Sequence, residues 1–132
     1  MRITELNHVA LHVADVAASI VFYRDVVGLT QLPRPAFDFQ GAWFSLGPHQ
    51  ELHLLEGREI AAQGYHRGNH FAVLVEDFEK VVDYFLQLDL VCIGPHIRPD
   101  GAKQVFIKDP DGHVFEFCNI DDASAQDRAL DN

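Results

Sequence analysis

Apolar and polar residues alternate from position 6 to 13, so that His8, Ala10 and His12 fall on one face of a strand and Val9, Leu11 and Val13 on the other. The period then changes. Ala18, Ile20, Val21, Phe22 and Val26 recur at helical spacing, behind Asp15 as a cap and ahead of Gly28 as a stop. Three further strand patterns follow near 29–35, 40–46 and 50–56, punctuated by Pro33, Pro35, Gly41, Gly47 and Pro48. The same order returns later in the chain. Strands are predicted near 69–75, 90–97, 102–108 and 113–119, with a helix at about 78–88 and a tight Asp109-Pro110-Asp111-Gly112 turn before the last strand.

The recurrence extends to the residues themselves. NHVALHVADVAASIVFY, starting at Asn7, returns 62 positions on as NHFAVLVEDFEKVVDYF, which pairs His8 with His70, Ala10 with Ala72, Val13 with Val75 and Asp15 with Asp77. A repeat of this period means two copies of one supersecondary unit that share a core. In a chain of 132 residues the copies are halves of one domain. The expected fold is therefore α+β, with two βαβββ modules that, if each four-stranded sheet curls into half a cup, form an open, cup-shaped mixed sheet. Module one covers about 4–57, a polar linker 58–68 and module two about 69–120; the small, acidic tail 121–132 is expected to fray.

Composition narrows the function. Apolar residues at 48% and aromatics at 11% exclude a disordered chain, and no run of about 18 apolar residues exists to span a bilayer. A formal charge of −10 argues against nucleic acid and anionic membranes as partners, because gripping phosphates needs clustered Lys and Arg. A small-molecule partner is expected. The N-terminus runs straight into a strand pattern with no leader-like segment, which points to the cytoplasm. In that setting Cys92 and Cys118 read as small buried residues rather than a disulfide.

In the fourth strand of module one, Glu51, His53 and Leu55 share a face opposite Leu52 and Leu54; in that of module two, Val114, Glu116 and Cys118 lie opposite Phe115 and Phe117. If the apolar sets face the helices, His53 and Glu116 turn to the other side of the sheet, as His8 and His70 do. If each sheet also curls into half a cup, four strands aim ligand-type side chains at one point. Three imidazoles and a carboxylate suit Zn, Ni, Co, Mn or Fe(II), and ligand type alone does not choose among them. His49-Gln50-Glu51-Leu52-His53 has its glutamate one place late for a zinc-protease helix and reads as strand. His49, His66, His96 and His113 fall in turns or at strand ends and read as solvated. The glycines form no phosphate-binding loop, and no G-x-S-x-G elbow is present.

Together, NHVALHV, FYRDVVGL, GAWFSLG, NHFAVLV and DPDGHVFEF resemble the vicinal oxygen chelate superfamily. That superfamily includes glyoxalase I, the fosfomycin-resistance thiol transferases, methylmalonyl-CoA epimerase, extradiol dioxygenases and bleomycin-binding proteins. The resemblance covers roughly residues 4–120 and is more specific for the superfamily than for a member. It implies that His8, His70 and Glu116 are metal ligands. His53 occupies the fourth slot, where glyoxalase I has a glutamate and the epimerase a glutamine. His12 stands where glyoxalase I commonly has an arginine that helps hold glutathione, and Gly57 where it has an asparagine. Both departures weigh against glutathione as the natural substrate.

The expected protein is a divalent-metal-dependent, glyoxalase-like lyase or isomerase acting on a small oxygenated substrate, or its thiol adduct, that chelates the metal. Glu116 is the candidate general base. His12 is a candidate for orienting substrate or shuttling a proton, or else a hydrogen-bond partner behind a ligand. Phe37, Phe39, Trp43 and Phe106 are read either as core or as apolar walls, with Arg24, Arg98 and Lys103 as candidates for an anionic group. The alternatives are a non-catalytic binding or resistance protein, a thiol transferase, or an extradiol dioxygenase on the same fold. A homodimer is expected from the resemblance.

Overall fold

A computed structural model describes residues 1–120; the tail expected to fray lies outside the described residues. The chain divides into two units, Met1–Ala62 with Asp109–Gly112, and Gln63–Lys108 with the segment from His113 onward. Each is built on a four-stranded mixed sheet with helical cover, so the fold is α+β.

In unit 1 the strands are β1 (His8–His12), β2 (Gln31–Leu32), β3 (Gly41–Ser45) and β4 (Glu51–Leu55), ordered β1-β4-β3-β2. Strands β1 and β4 run parallel and the other pairs antiparallel. The strand predicted over 29–35 is cut to two residues, because Pro33 has no N–H with which to continue the ladder. Helix α1 (Val16–Ile20) starts where Asp15 Oδ1 accepts from the Ala18 amide at 3.0 Å. It then widens into a π-helical turn over Val21–Val26, closed by the Val27 amide bonding to the Phe22 carbonyl. An α-helix sets successive side chains about 100° apart. The wider turn narrows that angle, and the neighbours Phe22 and Tyr23 are both buried. The Tyr23 ring lies 6.1 Å from that of Phe44, and Val13, Leu52 and Leu54, which alternation turns away from the histidine face, are buried as well.

The Asp109–Gly112 turn lies between two strands of the second repeat, yet it belongs to unit 1. The Ala14 amide donates to Asp111 Oδ1 at 2.9 Å, and the Ala62 amide to the Asp111 carbonyl at 2.9 Å. Gly112 has φ +92°, and a Cβ there would stand 3.3 Å from the Ala62 carbonyl, so this docked turn needs glycine.

Unit 2 repeats the plan with β5 (His70–Leu74), α2 (Phe78–Gln87), β6 (Cys92–Ile97), β7 (Lys103–Lys108) and β8 (Val114–Asn119), ordered β5-β8-β7-β6. Asp77 caps α2 through the Lys80 amide at 3.1 Å, as Asp15 caps α1. That bond and the nearby Lys80 ammonium hold the Asp77 carboxyl below the usual carboxylate range. The helix-side core is aromatic: Phe71 stacks on Phe115 at 4.3 Å, and Phe85 meets Phe117 edge-on at 4.9 Å. Neither cysteine is in a disulfide; Cys118 is buried and Cys92 half-buried, and burial pushes the Cys92 thiol up. No helix among the described residues is long and apolar enough to cross a membrane.

The repeat survives in the strand register. Ala10 lies opposite His53 across the β1/β4 pair, and Ala72 lies opposite Glu116 across β5/β8. His8 and His70 are therefore equivalent positions, as are His53 and Glu116. In both sheets a small alanine beside the ligand-type residue leaves room for the diagonal neighbour to lean toward it.

Candidate metal centre

The pair in unit 2 has a geometry suited to an ion. His70 Nδ1 bonds the Gly68 carbonyl at 3.0 Å, and a carbonyl only accepts, so the proton is on Nδ1 and Nε2 carries the lone pair. Nε2 faces Glu116 Oε1 at 3.7 Å. That distance is too long for a hydrogen bond. Two ligands each about 2.1 Å from one metal ion sit roughly 3.0–3.4 Å apart, so closing by a few tenths of an ångström would bring both onto a shared cation. Glu116 is only 4% exposed, and Gln104 Nε2 donates to its Oε1 at 2.8 Å. A buried carboxylate held by a neutral amide and facing an imidazole lone pair is a donor set that fits a divalent cation.

The pair in unit 1 is arranged differently. His8 Nδ1 bonds Asn7 Oδ1 at 2.7 Å, which again leaves Nε2 as the lone-pair nitrogen. His53, by contrast, is engaged through Nε2, which bonds Glu51 Oε2 at 2.7 Å. Its ring is sandwiched between His8, at 4.3 Å and 16°, and Trp43, at 4.1 Å and 6°. A metal lies in the plane of each imidazole that binds it. Two nearly parallel rings stacked at this distance cannot both direct a lone pair at one ion, so His53 in this rotamer does not chelate together with His8. The structure brings the four expected ligands together as two pairs. Among the described residues, no group of three or more His, Cys, Asp or Glu side chains stands ready to hold a metal.

The remaining candidates separate. His12 lies on the β1 face shared with His8, and its Nε2 is 3.2 Å from where a Cβ at Gly57 would stand. Phe37, Phe39 and Trp43 line a recess of about 130 Å³ with His8, His53 and Arg34. The Arg34 guanidinium stacks over Phe37 and Phe39 at 4.7 and 4.8 Å, a contact that the sequence reading did not anticipate. Phe106 is buried and meets His70 edge-on at 5.6 Å. Arg98 is bound to Asp100, whose carboxylate holds the guanidinium above its ordinary range. Lys103 pairs with Glu79 at the start of α2, which puts it on the helix side of the sheet, away from Phe106. Arg24 pairs with Asp25 in the open. Of the histidines read from the sequence as solvated, His96 is exposed and His66 half-buried, and the two line an open recess together with Phe106.

A sequence profile of the Glyoxalase/Bleomycin resistance protein/Dioxygenase superfamily matches residues 5–117, and the chain belongs to that superfamily. Among its relatives is the metallothiol transferase FosB of Lysinibacillus sphaericus (strain C3-41), 29% identical over 122 residues that cover 89% of this chain and 83% of FosB. Glyoxylase I 4 of Arabidopsis thaliana is 29% identical over 129 residues, covering 92% of this chain and 74% of that protein. A solved structure of a putative glyoxalase family protein from Bacillus anthracis superposes with a TM-score of 0.77 at 24% identity, over 92% of this chain and 100% of that one; the likeness is one of fold.

Proposed function

We propose that the protein is a divalent-metal-dependent enzyme of the glyoxalase type, a lyase or isomerase that acts on a small substrate with two neighbouring oxygens. Its ligands are His8, His70 and Glu116, and it works as a homodimer. The observation that carries this reading is the 3.7 Å gap between His70 Nε2 and the buried Glu116 Oε1, with the imidazole proton fixed on the far nitrogen. A divalent ion bound there supplies Lewis acidity to the chelating oxygens. With Oε1 of Glu116 held by Gln104, Oε2 would be the oxygen to take a carbon-bound proton. Burial of that carboxylate keeps water from competing for the proton. His12 orients the substrate on the β1 face. The recess of about 130 Å³ walled by Phe37, Phe39 and Trp43 is near the size that holds one benzene ring, and it takes an apolar end of the substrate.

The similarity to FosB favours a second reading, in which the same ligands serve thiol addition. One set of assays separates the readings. Protein reconstituted in turn with Zn, Ni, Co, Mn or Fe(II) is given α-ketoaldehyde plus thiol, epoxide plus thiol, and catechol with oxygen-uptake recording. Isomerisation of the first mixture supports the proposal. Turnover of only the epoxide or only the catechol transfers the protein to the transferase or dioxygenase class, and no turnover with any metal leaves a binding protein.

A further inference from the structure

The sequence pattern gives no reason for His96 to face Glu116, and a bulge in β6 supplies one. Ile93 pairs with Phe106 and His96 with Gln104, so three steps along β6 match two along β7. The extra residue falls at Gly94-Pro95 and shifts the alternation by one. Without it His96 would turn to the helix side with Lys103. With it, His96 shares the face of Gln104, Phe106 and Glu116. Gly94 has φ +101°, and a Cβ there would lie 2.9 Å from the Gln104 carbonyl, so the bulge depends on glycine.

On this face lies an open recess of about 690 Å³. His96 approaches His66 at 6.4 Å between ring centroids, and His66 meets Phe106 edge-on at 5.7 Å. Arg67, Arg98 and Gln104 complete the polar lining, and no carboxylate is among the lining residues. Asp100 grips Nε and Nη2 of Arg98, which fixes the plane of the guanidinium without engaging Nη1. In a chain with a formal charge of −10, a recess walled by two guanidiniums, two imidazoles and an amide is a local exception. Guanidinium forks match the paired oxygens of a carboxylate or phosphoryl group, and even a neutral imidazole donates one N–H.

We propose that this recess binds the anionic end, a carboxylate or phosphoryl group, of the molecule whose other oxygens meet the metal. The substrate class is then a small oxygenated acid, held at its charged end by Arg67, Arg98, His66 and His96. The recess itself stands on its own geometry; only its link to substrate rests on the metal reading above. A protein of strongly negative charge repels an acid at long range, so a short-range basic recess of this kind is what such a substrate requires.

The test is a titration of the full chain with inorganic phosphate and, separately, malonate at constant ionic strength, followed through backbone amide resonances, in metal-free and metal-loaded protein. Saturable shifts of either anion centred on residues 66–67 and 96–98 are expected in both forms. Binding should weaken about tenfold in Arg67→Gln, the loss of one charge-assisted hydrogen bond, and should also weaken in His96→Gln. The surface variant Lys80→Gln, which removes one charge elsewhere, should bind as wild type does. Equal binding in wild type and both recess variants, or no saturable binding of either anion, overturns the proposal. The two readings fail separately. Anions that bind the recess of a protein unable to take up metal would sink the metal assignment alone, whereas anions that bind only metal-loaded protein and leave residues 66–67 and 96–98 unshifted would sink the recess alone.

Discussion

The Tyr23 hydroxyl donates a 2.8 Å hydrogen bond to Asp109 Oδ2, joining the first helical segment to a turn 86 positions later in the chain. Both residues are buried. Removing the donor leaves a buried carboxylate oxygen under-satisfied, so Tyr23→Phe is expected to cost about 1–3 kcal/mol in chemical denaturation. The bond also predicts a pH effect. Burial first, then the Asp109 charge, push the Tyr23 phenol above its ordinary value, so the folded state holds a proton that the unfolded chain releases near pH 10. That stability is fully present below the unfolded value and is lost as pH rises above it. Between pH 10 and 11.5 wild type should therefore lose up to about 1.4 kcal/mol per pH unit more than Tyr23→Phe. Parallel pH profiles for the two proteins would contradict this.

Stacking between Trp43 and His53 makes the second prediction. With Nε2 bound to Glu51 and the ring held between Trp43 and His8, His53 serves as a wall of the recess. His53→Ala should retain near-wild-type metal stoichiometry. It should also alter emission from Trp43, the single tryptophan in the chain, because its stacking partner is gone. Loss of metal as complete as in His70→Ala would make His53 a ligand and require its ring to turn away from Glu51.

Gly57 and His12 are coupled by space. Gly57 has φ +102°, and its missing Cβ would sit 3.2 Å from His12 Nε2. Gly57→Asn should cost about 1–3 kcal/mol from the backbone conformation, with a further loss from crowding His12. Adding His12→Ala should relieve the crowding but not the backbone cost. A double-mutant cycle measured by denaturation is thus expected to give a coupling of about 0.5 kcal/mol or more, and simple additivity would argue against contact between the two positions.

Gln104 acts through Glu116. By holding Oε1, it fixes the carboxylate in the orientation that faces His70. Gln104→Ala should weaken metal affinity about 10–100-fold, measured by competition with a chromophoric chelator, and should also cost about 1–3 kcal/mol of stability by leaving a buried carboxylate oxygen under-satisfied. Unchanged affinity would mean that Glu116 is oriented by other contacts.

Alternation made most of the strands legible, because His8, His53, His70 and Glu116 each alternate with apolar residues that turn to the other face of the strand. The repeat made the equivalence of His8 and His70 legible as well. What escaped the sequence reading has local causes. Lys103 lies three residues from Phe106, an odd spacing that puts the two on opposite faces of β7, so grouping them as one substrate-binding set neglected the period of the strand. Gln104, two residues from Phe106, was within reach of the same rule. His96 was not, because the bulge at Gly94-Pro95 reverses the phase of β6, and only the glycine-proline pair hints at it. Arg34 follows a proline-broken strand, where no period predicts that its side chain will fold back over Phe37 and Phe39.

The most direct test of the metal assignment is the metal content per chain of purified, reconstituted protein, measured for wild type beside His8→Ala, His70→Ala and Glu116→Gln, with each variant first shown to be folded by circular dichroism. Near-stoichiometric divalent metal in wild type and its loss in all three variants is the predicted result. Wild-type protein that stays metal-free with every ion offered, or variants that keep their metal, would contradict the assignment of these residues as a metal centre.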